Sequence, residues 1–261
     1  MIILKYLPVV VLATTLNVGC GGGGGGTAAS PNGIYSGNIT GGQTVPNVIE
    51  EKAIIYNGRL LILSLGTTAI QQLFDASLDI SSTSLSGTGK RYNNISLLNS
   101  VDYDGNFVVS TSATIDFDVT TGTPSNGLLP GTMNLTASTT LLERGSATDK
   151  LQGVWTGDYG SDFFGTMNLT IDATGTITAG DDQYNNSPDC KFTGTILPAD
   201  TKINVYNALI TSDGGSNGNC IMSAGTYTGL AWTEGDTDGT MVLMFADGTD
   251  GRAVILTRTG I

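Results

Sequence analysis

The stretch GTMNLTIDATGTITA (Gly165–Ala179) decides the fold of this chain. Met167, Leu169 and Ile171 alternate with polar residues, the period of a strand buried on one face. DATGT (Asp172–Thr176) has the composition of a hairpin turn, and Thr176–Ala179 begins the return strand. The same grammar recurs on either side. INVYNALI alternates through Ile203, Val205 and Leu209, and ADGTDGR (Ala246–Arg252) reads as another turn. The segments expected to be strands are Gly153–Tyr159, Gly165–Asp172, Thr176–Ala179, Lys191–Ile196, Ile203–Thr211, Thr226–Thr233, Thr240–Phe245 and Arg252–Arg258. Short strands in unbroken succession predict an up-and-down antiparallel barrel, closed so that no edge stays open, with a compact sandwich as the alternative.

The preceding part of the chain carries a weak copy of this unit. NGIYSGNI (Asn32–Ile39) and QGVWTGDY (Gln152–Tyr159) both read Gly-x-aromatic-x-Gly, with Tyr35 and Trp155 at equivalent places. A second correspondence links GTMNLTASTTLLERG (Gly131–Gly145) with GTMVLMFADGTDGRAVILTRTG (Gly239–Gly260). AIIYNGRLLILSL (Ala53–Leu65) places Asn57-Gly58 between two apolar runs, a strong hairpin signal. YDGNFVVS (Tyr103–Ser110) and ATIDFDV (Ala113–Val119) read as strands, whereas TTAIQQLFDASL (Thr67–Leu78) fits either a short helix or a bulged strand. The expected fold class is therefore all-β: two tandem small antiparallel β-barrels of about eight strands each. One barrel is expected over 33–146 and the other over 151–261, with the boundary in the polar RGSATDK (Arg144–Lys150).

Composition narrows the function. The 261 residues carry a formal net charge of −12, which repels phosphate backbones and argues against nucleic-acid partners. There is no histidine, so Ser-His-Asp and Cys-His catalysis and His-ligated zinc are excluded. Nothing singles out a catalytic acid or base, and the expectation is a protein that is not an enzyme and uses no cofactor.

The N-terminal MIILKYLPVVVLATTLNVGC (Met1–Cys20) has a charged start, a short apolar run and small residues before Cys20, the layout of an export signal. The run is short for a bilayer span, and Pro8 interrupts it. Gly19-Cys20 resembles the lipobox of bacterial lipoproteins, with Asn17 standing where an aliphatic residue is usual. That resemblance implies cleavage after residue 19 and lipid attachment at Cys20, with Gly21 after the cysteine matching an outer-membrane address. The glycines that follow lack the Lys-Ser/Thr of a phosphate-binding loop, so residues 20–32 read as a flexible tether of about 20 Å r.m.s. span. Which face of the membrane carries the protein is left open.

Cys190 and Cys220 are the other cysteines, an even pair in an exported chain, and one disulfide is expected. Two free thiols awaiting a metal are the alternative; they lack a third ligand and a Cys-x-x-Cys spacing. Trp155 resembles the Gly-x-Trp opening strand of the calycins, the lipocalin and avidin barrels, where the tryptophan plugs the closed end. Trp232, ending a strand near a polar turn, is the candidate for a binding contact at a barrel mouth. Asp181, Asp182, Glu234, Asp236, Asp238, Asp247 and Asp250 fall in three expected acidic turns, AGDDQYNN, EGDTDG and DGTDG, without EF-hand spacing, and no metal site is assigned to them. The whole layout, including CKFTGTI at Cys190 and YTGLA at Tyr227, resembles uncharacterised proteobacterial poly-Gly surface lipoproteins. The expected function is that of a non-catalytic outer-membrane lipoprotein presenting barrel modules for binding or envelope structure. Its partners are the membrane, through the lipid, and an unidentified protein, glycan or small molecule. An inhibitor of a basic hydrolase such as lysozyme, or a carrier using a barrel mouth, is the alternative.

Overall fold

The computed structural model describes residues 30–43, 50–65, 70–92, 97–109, 111–121, 128–159, 165–184, 187–215, 220 and 222–261. The first barrel runs through β1 (Gly33–Gln43), β2 (Glu50–Tyr56), β3 (Arg59–Leu65), β4 (Ile70–Ser81), β5 (Ser84–Tyr92), β6 (Leu97–Val108), β7 (Ser112–Thr121) and β8 (Leu128–Ala137). The second runs through β9 (Gly153–Asp158), β10 (Gly165–Ile171), β11 (Thr176–Tyr184), β12 (Ser187–Asp200), β13 (Val205–Ser212), β14 (Gly225–Glu234), β15 (Thr240–Ala246) and β16 (Gly251–Gly260). Each strand pairs antiparallel with its sequence neighbour, and β1–β8 and β9–β16 close the two barrels. The meander follows from connections that, apart from the long β13–β14 link, are too short for a crossover. The ambiguous Thr67–Leu78 segment is strand from Ile70 onward, and the pairing shifts register between Ser64 and Leu65.

Local chemistry explains the turns. Asn57 and Gly58 both take positive φ, 49° and 74°, the two left-handed residues of a type I′ hairpin between β2 and β3. Gly37 and Gly157 sit where the first strand of each barrel crosses the last. A Cβ at Gly37 would run into the Asn134 carbonyl on β8, and one at Gly157 into the Ile255 carbonyl on β16. The two opening motifs are thus equivalent in space. Their aromatic residues match too: the Tyr35 hydroxyl donates to the Pro31 carbonyl, and Trp155 Nε1 donates to the Leu151 carbonyl at 2.7 Å, each four residues upstream. Both rings are buried in the barrel interiors, and the Arg258 guanidinium lies 4.6 Å from the Trp155 ring centre.

The second sequence correspondence does not survive. Gly131–Ala137 belongs to β8, the last strand of its barrel, but the Thr240 stretch is β15, the seventh strand of the other. Thr-Met followed by alternation is generic strand material and also builds β10.

Between the barrels come a single helical turn, α1 (Thr139–Leu142), and a 3-10 turn (Thr148–Leu151). The barrels then pack against each other. β2 and β3 are buried on both faces: Ala53, Ile55, Leu60 and Ile62 face inward, whereas Ile54, Leu61 and Leu63 face the second barrel. From the other side Leu230, Trp232, Val242, Met244 and Ala253 complete one apolar seam. Each such aliphatic side chain withdrawn from water contributes about 1.5–3 kcal/mol. Asn204 N–H donates to the Leu142 carbonyl at 2.8 Å, tying the linker to the second barrel.

Candidate functional site

In each barrel Tyr35 or Trp155 fills the interior beside the start of its first strand, and buried polar groups collect further along. In the first barrel the polar belt takes one inward residue from each of five successive strands: Glu51, Ser64, Gln72, Arg91 and Tyr103, all 3% exposed or less. Ser64 Oγ donates to both Glu51 carboxyl oxygens at 2.7 and 2.8 Å, and Arg91 Nε donates to Gln72 Oε1 at 2.9 Å. Burial pushes the Glu51 carboxyl up to about 8, with the Ser64 bond opposing, so it is largely protonated at neutral pH. Burial also pulls the Arg91 guanidinium down to about 10. The Tyr103 hydroxyl has no hydrogen-bond partner among the described residues.

In the second barrel the corresponding groups are Tyr159, Asp182, Tyr227, Asp250 and Arg252. Arg252 holds Asp250 through both carboxyl oxygens, and Tyr227 donates to Asp250 Oδ2 at 3.3 Å and to the Ser223 carbonyl at 3.0 Å. Burial, then the nearby Asp182 carboxylate, pushes the Tyr159 hydroxyl far above its ordinary range. Asp182 faces its register partner Cys190, which is bonded to Cys220 in a disulfide with Cα atoms 5.2 Å apart. The bridge pins the long β13–β14 connection to β12.

The acidic segments have protein partners. Glu234 pairs with Lys52 across the seam at 2.7 Å, and Asp238 with Arg144 from the linker. Asp247 caps its own turn by accepting from the backbone N–H of Thr249 and of Asp250, both at 2.7 Å.

Trp232 lies elsewhere than at a barrel mouth. It points outward from β14 into the seam, is wholly buried against the first barrel, and donates from Nε1 to Glu234 Oε1 at 2.9 Å. The reason is that β14 and β15 are apolar on both faces, and the first barrel covers the outer one. Cys20, with the whole expected signal and tether up to residue 29, lies outside the described residues.

Among the described residues, three grooves lie along the rim of the seam, each touched by both barrels. One of about 550 Å³ lies between Tyr56 and Arg59 of the first barrel and Leu197, Leu209 and Thr228 of the second. Leu197 and Leu209 are 41% and 45% exposed there. Another, of about 500 Å³, runs over Asp75, Thr88, Lys90 and Asp102 and is bounded by Gly248. A third, of about 320 Å³, lies between Glu50 and Ser138 on one side and Glu234 and Gly235 on the other. Sequence reading missed all three, since each exists only where the barrels meet; the signal available was the apolar run on both faces of β2, β3 and β15.

The geometry defines a class, the tandem closed-barrel protein with a fused seam. No family model matches the chain, and no curated protein matches it. Among solved structures it is similar to transferrin binding protein B, a vaccine antigen, from Haemophilus parasuis Hp5. A single tryptophan-to-alanine mutant matches at 8% identity and a TM-score of 0.32, over 89% of this chain and 76% of that one. The isotype 1 protein from serogroup B Neisseria meningitidis matches at 11% identity and a TM-score of 0.29, over 81% and 58%. At these scores the likeness carries no inference about ligand or activity.

Proposed function

We propose that this chain is a non-catalytic binding protein of the outer membrane, tethered by lipid on Cys20, that holds two barrels as one body and binds its partner along the seam. The observation that supports it is that the three grooves described above lie along the seam, two of them walled by both barrels and the third, on the first barrel, bounded by Gly248 of the second. The buried acids and bases, by contrast, are paired inside the barrels or across the seam, and the chain has no histidine to act as a general base. An acidic surface favours a partner with a basic face, by steering and by complementarity.

The test uses the membrane-held protein. A photo-crosslinking residue at Leu209, in the largest of the three grooves, is expected to capture a defined partner on intact cells. The same residue at Val108, exposed at the β6–β7 turn away from the seam, is expected to capture none. Equal capture at both positions, or capture only at Val108, refutes the seam as the binding surface. Cys20→Ser is expected to move the protein from the membrane to the soluble fraction, and unchanged fractionation refutes the tether.

A further inference from the structure

The carboxylate of Asp182 and the sulfurs of Cys190 and Cys220 lie within 4.8 Å of one another, and we propose that on reduction of the disulfide they form a three-ligand site for a thiophilic divalent ion, zinc-like in its chemistry. The residues come from three places. Asp182 on β11 stands directly across the ladder from Cys190 on β12, and Cys220 arrives from the β13–β14 connection. Asp182 Oδ2 is 3.9 Å from Cys190 Sγ. Tetrahedral zinc with bonds of about 2.3 Å to sulfur and about 2.0 Å to oxygen needs sulfur–sulfur and sulfur–oxygen separations of roughly 3.5–3.8 Å. The carboxylate is therefore already near its place, and the sulfurs reach theirs once the bond between them opens.

The chemistry of the surroundings fits. Asp182 and Cys190 are wholly buried in the second barrel, whereas Cys220 is only partly buried and marks the side from which an ion enters. The Ser212 hydroxyl, 4.0 Å from Cys220 Sγ, is placed to donate to that sulfur as a thiolate. The step balances as thiol–disulfide exchange. A dithiol reductant gives two electrons and two protons to the bridge and becomes the oxidised partner. The incoming ion then displaces the two thiol protons and is held by two thiolates and one carboxylate, with a fourth position left for water. The disulfide and the metal are alternative ways of pinning the same connection.

The test uses the Cys20→Ser protein, which removes the third thiol, with Cd²⁺ as probe. Oxidised protein is expected to bind none. Protein reduced with a phosphine, its barrels checked by circular dichroism, is expected to bind one Cd²⁺ with a thiolate-to-metal charge-transfer band. Asp182→Asn is expected to weaken that binding by at least about tenfold, the loss seen even for groups that only support a ligand, while Asp181→Asn leaves it unchanged. Equal affinity of wild type and Asp182→Asn overturns the proposal; this is also the result if reduction unfolds the barrel and loose thiols take the ion. Failure of the folded, reduced protein to bind one equivalent overturns it as well.

Discussion

The Glu51 carboxyl sits inside the first barrel, wholly buried, with Ser64 as its hydrogen-bond donor. Replacing it by Gln keeps the shape and an acceptor for Ser64 but removes the charge. Burial raises the group from 4.5 to about 8, so between these values the folded state holds a proton that the unfolded state has released. Stability tied to that proton is fully present below pH 4.5 and is lost as pH rises to 8, after which it levels off. At about 1.4 kcal/mol per pH unit across that interval, wild type loses roughly 4 kcal/mol between pH 5 and pH 9 from this one group. Glu51→Gln lacks the term. Urea denaturation of the soluble Cys20→Ser protein with and without Glu51→Gln, at both pH values, isolates it, because all other groups titrate alike in both. The variant is expected to be slightly more stable than wild type at pH 5 and several kcal/mol more stable at pH 9. A stability difference that stays constant to within about 1 kcal/mol across that range refutes the burial of Glu51 inside the barrel.

Other expectations concern the seam, the plug and the bridge. A Cβ at Gly251 would come 2.8 Å from the Tyr92 ring of the first barrel, so Gly251→Ala is expected to cost about 1–3 kcal/mol in thermal melts, and Tyr92→Leu to recover part of that loss. Leu61→Ala on the outer face of β3 is expected to cost about 2–5 kcal/mol despite lying outside both barrel interiors. Arg258→Ala removes the cation over Trp155 and should destabilise by about 1–2 kcal/mol, with a change in the Trp155 emission that leaves Trp232 unaffected. Replacing Cys190 and Cys220 by Ser opens a bridge spanning 30 residues and is expected to cost about 3–4 kcal/mol in urea.

Most of the strands were legible because one face of each is wet. Met167, Leu169 and Ile171 alternate cleanly, and β10 is buried at those positions and at Gly165 of the same parity. The hairpin at Asn57-Gly58 was legible because only a type I′ turn needs two left-handed residues in a row. The seam was not, since a continuous apolar run such as Leu60–Leu63 says that both faces are buried without saying what covers the outer one. Trp232 shows the consequence: its strand could be read from sequence, but its neighbour across the seam, with Lys52 and Glu234 at its rim, comes from a hairpin far away in the chain. The polar belt had a signal that went unused. Glu51 shares parity with Ala53 and Ile55, and Ser64 with Leu60 and Ile62, which places both inward, but the apolar residues of opposite parity hide that alternation. Asp182 looked like a turn residue beside Asp181 and is instead the inward member of β11.

Calorimetry of the Cys20→Ser protein tests the central claim, that the seam makes the two barrels one body. The account predicts a single transition whose calorimetric and van't Hoff enthalpies agree, and which Leu61→Ala shifts as a whole. Two resolved transitions in wild type, with Leu61→Ala moving only the one that belongs to the first barrel, would contradict it.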